Sequence, residues 1–483
     1  MIKAFFKDSL IYAIPSLLSR GVSLFLLPLY TRVLSPADYG SLEILIVFAS
    51  LANLTVALEV SQGVARFYGT EKDACKKIEY ASTSFWFTLF CYCCFFFLTL
   101  LFAPLLAPFI IGRADTTSIF CLAMAYIAVN GMFYLVQNQF RWALRSKQYA
   151  ICSILVTLIT ALLSVILVYI FQLGLGGLLA GMLGGASVGF LYGIINLRDS
   201  YKWVFCGDRL KEMLLFSAPL VPSGVAVFLS NYIDRLMINH FLTLEDLGVY
   251  GIGFRISNVV SLVLVGFQGA LMPLIYKNYH LVDTPRQIAL IFRTFLFFAF
   301  LMCFFLVGFS RELLCVFTVP DFYGAADVMR FLVPALLLSN MYIFAPGLGI
   351  AKKTCFVLFI NIAVAVFNIC ANCILIPILG IQGAALATLL GYTLSFFLYL
   401  LLSQRFYPIN YGFLTAGKAL GITTIFLLFS CYIDLNMGMN LLIKGLFLLL
   451  LFLSFIYIGL VSREEISKSF EILRKTLHRR PLF

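Results

Sequence analysis

Charged residues are scarce in this sequence. Asp, Glu, Lys and Arg make up 12% of 483 residues, against roughly 25% in a typical soluble domain, while hydrophobic residues make up 62%. So little polar surface cannot cover a globule in water, which excludes a soluble multidomain protein. We therefore expect a lipid bilayer to be the solvent.

Residue patterns for catalysis or metal binding are also lacking. The three histidines, His240, His280 and His478, are far apart in the chain, so neighbouring residues form neither a metal cluster nor a His-based triad. Segment 412–419 spaces its glycines like a phosphate loop, but Ala419 stands where Ser or Thr must hold Mg²⁺. The sequence therefore predicts no catalytic residues, no metal, no cofactor and no enzyme activity.

Most of the sequence consists of long apolar runs separated by short charged segments. A helix needs about 20 apolar residues to cross the hydrocarbon core, and it satisfies its own backbone hydrogen bonds. We therefore predict an all-α, polytopic membrane protein of about fourteen transmembrane helices. They are placed near 9–31, 41–64, 80–103, 117–139, 150–172, 175–196, 212–234, 246–272, 288–310, 327–350, 355–377, 381–403, 413–433 and 440–461.

Positive charge is divided unevenly between the loops. Of 34 Lys and Arg residues, 26 fall on one predicted side and three within helices, which leaves five on the opposite side: Arg32, Arg113, Arg311, Arg330 and Lys444. Cytoplasmic loops carry the excess of Lys and Arg, so both termini are expected in the cytoplasm. The net charge of +12 then reflects this sidedness and contact with anionic lipid, without any need for nucleic acid.

An internal repeat appears at an offset of about 206 residues. Asp38-Tyr39-Gly40 corresponds to Asp246-Leu247-Gly248, and the Gly174–Gly177 turn corresponds to Gly380–Gly383. Six helices per copy predict two lobes in parallel repeat. The expected domains are an N-lobe at 1–200, a C-lobe at 201–404, two C-terminal helices at 405–461 and a cytoplasmic amphipathic tail at 462–483.

Small residues and prolines mark two further features of the helices. Glycines recur every fourth residue from Gly177 to Gly193, a pattern typical of close helix packing that could also line a substrate path. Pro219 and Pro222 lie inside the first helix of the predicted C-lobe and predict a bend there.

Three stretches resemble a known family: 139–150 (QFRWALRSKQYA), 349–353 (GIAKK) and 376–388 (IPILGIQGAALAT). They are similar to the polysaccharide transporters, the Wzx-type O-antigen flippases of the multidrug/oligosaccharidyl-lipid/polysaccharide exporter (MOP) superfamily. The resemblance implies two lobes around a central cavity that moves a polyprenyl-pyrophosphate-linked oligosaccharide to the outer leaflet. It also implies the bacterial cytoplasmic membrane as the location, with a polysaccharide polymerase and chain-length proteins as partners.

Arg20 and Arg255 fall near the middle of one helix in each predicted lobe. Cations at this depth are costly and normally face a wet cavity or a counter-ion, and the planar guanidinium suits a pyrophosphate. We predict that both arginines bind substrate. A structural pair with a buried acid is the alternative.

Uncharged polar residues and acids complete the candidate site. Gln137, Asn258 and Gln268 could hydrogen-bond sugar hydroxyls, or instead bridge neighbouring helices. Asp234, Glu59 and Asn231 could bind Na⁺ or a proton and couple its gradient to transport. An interfacial Asp234–Arg235 pair, or snorkelling of these side chains to the headgroups, is the alternative.

Two other functions compete with the flippase. An ion-coupled, multidrug-type small-molecule exporter would need an acidic or aromatic cavity for organic cations, which arginines at midplane disfavour. A membrane-embedded glycosyltransferase would usually need a large extracytoplasmic loop, and the longest candidate, near 310–327, is short.

Overall fold

The computed structural model of the protein is helical throughout the part it describes, with no strand among those residues. The described residues are 15, 17–112, 116–261, 271, 275, 279–351, 353–433 and 436–460. Gln268 and the predicted tail at 462–483 lie outside them. The prediction of an all-α protein is confirmed.

Two compact units divide the chain, and the first comprises residues 1–252 with 317–322. A core of aromatic and aliphatic side chains fills it, including Tyr80, Tyr92 and Phe140. Its helices are α1 (Leu17–Thr31), α2 (Pro36–Thr55), α3 (Val60–Thr70), α4 (Ala74–Leu101), α5 (Ala103–Ile111), α6 (Thr117–Trp142), α7 (Ser146–Ile170), α8 (Gly174–Asn196), α9 (Gly207–Ser217), α10 (Leu220–Phe241) and the first part of α11 (Leu244–Ser257).

The second unit comprises residues 253–316 and 323–483. Phe292 and Phe295 pack on Phe344 in its interior. Its helices after the end of α11 are α12 (Thr284–Gly308), α13 (Ser310–Phe317), α14 (Ala325–Ser339), α15 (Gly347–Ile350), α16 (Thr354–Leu379), α17 (Ile381–Phe406), α18 (Phe413–Tyr432) and α19 (Met437–Tyr457). The lobe boundaries at 200 and 404 stay a prediction.

Many of these helices can cross a membrane. Within the described residues, ten are long and apolar enough to do so, and the bent pair α9–α10 makes up to eleven. The chain is therefore a multi-pass membrane protein, as predicted. The total of fourteen spans stays a prediction.

The segment 41–64, predicted as one helix, is broken in the structure. Helix α2 ends at Thr55 and α3 begins at Val60. Between them, Leu58 and Glu59 have φ of 48° and 51°, in the left-handed region that costs energy for residues other than glycine. Glu59 therefore lies at a break between two helices, whereas the sequence predicted that it lies within a single helix.

The internal repeat reappears as matched local geometry. Ser35 caps α2 in a capping box with Asp38, and Thr243 makes the same pair of bonds with Asp246 at the start of α11. Side-chain capping satisfies the free N–H groups of a first helical turn. The two copies therefore begin this helix by the same chemistry.

The glycine ridge of α8 packs against neighbouring helices, as its spacing indicated. A Cβ added to Gly177 would lie 2.9 Å from the Leu167 carbonyl carbon, and one on Gly181, Gly185 or Gly189 would collide with α7 side chains. Close backbone approach explains why these positions need glycine. The ridge therefore serves helix packing.

The predicted bend at Pro219 is present. Helices α9 and α10 meet there at 44°, because proline removes a backbone donor and its ring clashes with the preceding turn. After the bend, α10 packs against α2, where the buried charges described next are found.

Candidate functional site

A buried ionic cluster joins α2 and α10 in the first unit. The Nε of Arg235 donates to Oε2 of Glu43 at 3.0 Å, and its Nη1 lies 3.4 Å from Oδ1 of Asp234. Arg235, Glu43 and Asp234 are 4%, 4% and 5% exposed. Buried charges are tolerated only when they are paired and hydrogen-bonded, so the two helices are tied together here by charge.

Aromatic side chains surround the cluster. The Tyr250 hydroxyl of α11 donates to Oδ2 of Asp234, and the Arg235 guanidinium lies 5.4 Å and 6.0 Å from the ring centroids of Tyr232 and Tyr250. Cation–π contact strengthens when the cation is desolvated. Three helices, α2, α10 and α11, therefore contribute to one polar site in an apolar surrounding.

Glycines make this meeting of helices possible. A Cβ on Gly251 would lie 2.6 Å from Cγ of Glu43, and one on Gly40 would collide with the carbonyl oxygen of Leu244. The side chain of Glu43 therefore occupies space that any residue but glycine at 251 would fill. The repeat-related glycines Gly40 and Gly248 lie against one another at the same crossing.

The cluster carries more formal negative charge than positive charge. Its named side chains are two carboxylates and one guanidinium, which are formally two negative charges and one positive charge. Carboxylates inside a membrane are the usual sites where transporters bind a proton or Na⁺. Asp234 has one oxygen on Arg235 and the other on Tyr250, so a change in its charge acts on α10 and α11 together.

The predicted coupling residues are only partly brought together. Asn231 is exposed, and its backbone carbonyl accepts from Nη1 of Arg235 at 3.4 Å, which places it one helical turn from Asp234. The Glu59 carboxylate is hydrogen-bonded by Ser61 and Gln62 instead, and its Oε2 is buried without a partner among the described residues. Glu59 therefore lies apart from the cluster.

The predicted substrate residues lie in different surroundings. Arg20 is exposed on α1 in the first unit, and Arg255 and Asn258 are half-buried in the second. Nε2 of Gln137 donates to the Ser153 hydroxyl at 2.9 Å. This bond bridges the neighbouring helices α6 and α7, which is the alternative to binding a sugar hydroxyl. The sugar-binding role of Gln137 stays a prediction, as do those of the other residues.

The sequence analysis did not select Glu43 for the site. It also missed Tyr250 and Gly251, which are separated from Glu43 by about 200 residues of chain. An acid within a predicted apolar helix was the available signal for Glu43. Tyr250 and Gly251 gave no such signal, because tyrosine and glycine are common in membrane helices.

Comparison with solved structures shows which known fold the chain has. The fold is similar to the lipid II flippase MurJ in an inward closed conformation, with a TM-score of 0.69 at 18% identity, covering 92% of this chain and 98% of that one. It is also similar to a multidrug resistance MATE transporter of the MOP superfamily in an inward-facing conformation, with a TM-score of 0.61 at 15% identity, covering 82% and 97%. The chain has the fold of MOP-superfamily membrane transporters.

The family follows from sequence comparison. Residues 29–309 match the family described as "Polysaccharide biosynthesis protein", and the chain belongs to that family. A relative from the Lsg locus of Haemophilus influenzae is 27% identical over 284 residues, which are 56% of this chain and 66% of the relative. The predicted family resemblance is confirmed, and the similar solved structures are a flippase and a transporter.

Proposed function

We propose that this protein is a flippase for polyprenyl-pyrophosphate-linked oligosaccharide repeat units, those of O-antigen, capsule or exopolysaccharide. It would act in the bacterial cytoplasmic membrane with both termini in the cytoplasm. The observation that carries the proposal is membership of a polysaccharide biosynthesis family by a chain with a membrane-transporter fold. A membrane-transporter fold in a polysaccharide biosynthesis family is explained if the protein moves a biosynthetic intermediate across the membrane.

Arg20 and Arg255 are the proposed ligands of the diphosphate. Arg20 is exposed beside Leu17 and Leu18 on an apolar helix, where a guanidinium is costly unless it meets water or an anion. A guanidinium fork binds two phosphate oxygens at once. Asn258 lies three residues after Arg255, and with Gln137 and Gln268 it is proposed to bind sugar hydroxyls.

Alternating access would carry the glycan through the hydrated interior while the lipid tail stays in the membrane. The Glu43–Asp234–Arg235 cluster is the proposed point of coupling to Na⁺ or a proton, with Asn231 beside it and Glu59 as a second candidate. A carboxylate that links two helices changes their contact when it gains or loses charge. Membrane lipid, a polymerase and chain-length proteins are the proposed partners.

Arginine substitutions test the substrate site. Arg20→Ala and Arg255→Ala should leave the protein inserted but abolish surface glycan, measured by immunoblot of cells that lack the chromosomal copy. Lys at either position should restore part of the signal, because it keeps the charge but loses the planar fork. Arg198→Ala, at an exposed position, is the matched control and should have wild-type glycan.

Two outcomes would contradict the proposal. Wild-type glycan in both alanine variants would remove these arginines from the substrate site. Export of organic cations by the purified protein in vesicles, without movement of a lipid-linked saccharide, would favour the ion-coupled multidrug-type exporter instead.

A further inference from the structure

A polar cavity of about 200 Å³ lies in the second unit, where α12 ends and α18 gives way to α19. Its polar lining includes Ser310, Arg311, Glu312, Arg330, Ser430 and Lys444. The volume is several times the roughly 30 Å³ of one water molecule in the liquid. It can hold a phosphate group and a few attached atoms, but not an oligosaccharide.

Cations are concentrated at this cavity. The positive-inside distribution leaves five Lys and Arg residues on the proposed extracytoplasmic side, and three of them, Arg311, Arg330 and Lys444, line this one cavity. Asp327 balances part of this charge through an exposed pair with Arg330 at 3.1 Å. Three cations against Glu312 and Asp327 leave the lining with a positive balance, which favours an anion.

One acid interrupts the cationic lining. Nζ of Lys444, on the apolar helix α19, lies 2.5 Å from Oε1 of Glu312, and the two side chains are 5% and 8% exposed. The other oxygen of Glu312, Oε2, is buried and accepts no hydrogen bond from any residue that the structure describes. A buried carboxylate oxygen without a donor is unfavourable, so Oε2 is suited to a hydroxyl group brought by a ligand.

The surface next to the cavity is apolar and suits a lipid chain. An apolar groove of about 520 Å³ lies between α12 and α19 and includes Phe305 and Gly445. Phe305 is three residues before Gly308 and Leu448 is four residues after Lys444, so each pair lies on one face of its helix. Phe305 and Leu448 line the groove, and Gly308 and Lys444 line the polar cavity. A polar cavity and an apolar groove on the same faces of two helices fit one amphiphile better than free phosphate.

We infer that this cavity binds an anionic glycerophospholipid whose headgroup carries hydroxyls, such as phosphatidylglycerol. Arg311, Arg330 and Lys444 attract the phosphate, and a glycerol hydroxyl donates to Oε2 of Glu312. An acyl chain follows the groove between α12 and α19. Placement in the outer leaflet rests on the proposed topology, but lipid binding itself does not.

Lipid binding is measured by native mass spectrometry of the purified full chain titrated with single lipids. Phosphatidylglycerol should bind about tenfold more tightly than phosphatidylmethanol, which has the same charge but lacks the hydroxyls, and more tightly still than phosphatidylcholine. Arg311→Gln, at an exposed position, should weaken both anionic lipids severalfold without changing their ratio. Arg32→Gln, which removes the same charge on the same proposed side but outside this lining, should change neither.

The hydroxyl preference is tested by replacing the pair as a whole. Glu312→Leu combined with Lys444→Leu leaves no buried charge behind and should fold, since apolar replacement of a buried pair is often neutral. This double variant should lose the tenfold preference for phosphatidylglycerol. Should it keep that preference, or should wild type bind phosphatidylcholine equally well, the inference would be overturned.

Two competition experiments separate the sources of the phosphate. Inorganic phosphate at millimolar concentration should not displace phosphatidylglycerol, because it has no chain for the groove. Displacement would make the cavity a site for free phosphate. Undecaprenyl phosphate that competes better than phosphatidylglycerol would assign the site to the glycan carrier instead, and either result contradicts the proposed occupant.

Discussion

The salt bridge between Arg235 and Glu43 makes a quantitative prediction possible. Its atoms lie 3.0 Å apart with both side chains 5% exposed, and unit charges about 4 Å apart attract by roughly 4 kcal/mol at an effective dielectric constant of about 20. Arg235→Met removes the guanidinium from two buried carboxylates. Removing one partner of a buried pair costs about 3–5 kcal/mol, and we expect this loss of stability.

Glu43→Gln should cost less. Arg235 keeps its contact with Asp234 at 3.4 Å, and glutamine still offers an amide oxygen to the guanidinium. We expect a loss of about 1.5–3 kcal/mol, the range for a hydrogen bond to a charged group. In the double variant Arg235→Met/Glu43→Gln, the loss of stability should be smaller than the sum of the two single losses by about 1–3 kcal/mol, because the two residues are in direct contact.

The assay is unfolding by SDS titration in mixed micelles, which gives the free energy of unfolding for each variant. Arg198→Met, at an exposed position, is the control and should stay within about 0.5 kcal/mol of wild type. Additive losses in the double variant, or an Arg235→Met protein as stable as wild type, would refute the idea that buried charge ties α2 to α10.

The same crossing of helices gives three more predictions. Gly40→Ala should destabilise the protein by about 1–3 kcal/mol through overpacking, measured by thermal unfolding of a detergent-solubilised fluorescent fusion, whereas Gly69→Ala, whose Cβ meets open space, should not. Ser35→Ala and Thr243→Ala should each cost about 1 kcal/mol in the same assay, since each removes one of the matched helix caps. Asp234→Asn keeps the volume but removes the charge, so surface glycan should become insensitive to collapse of the Na⁺ and proton gradients; an unchanged response would dismiss the coupling role.

The sequence by itself determined the class of the protein. Composition and the length of apolar runs depend only on the solvent that each helix must cross, so the all-α membrane fold and most helix positions could be predicted. The glycine ridge of α8 and the bend at Pro219 were likewise readable, because their causes are local backbone chemistry. The repeat was visible for the same reason, since caps and turns need particular residues at fixed offsets.

Only the tertiary structure decided which buried charges meet. Glu43, Asp234 and Tyr250 come together because α2, α10 and α11 cross at a point where Gly251 leaves room, and no spacing along the chain encodes that crossing. Glu59 was selected from the sequence, yet the chain breaks there and its carboxylate accepts hydrogen bonds from nearby residues. Pairing of charges depends on distances of a few ångströms between segments far apart in sequence, and packing alone sets those distances.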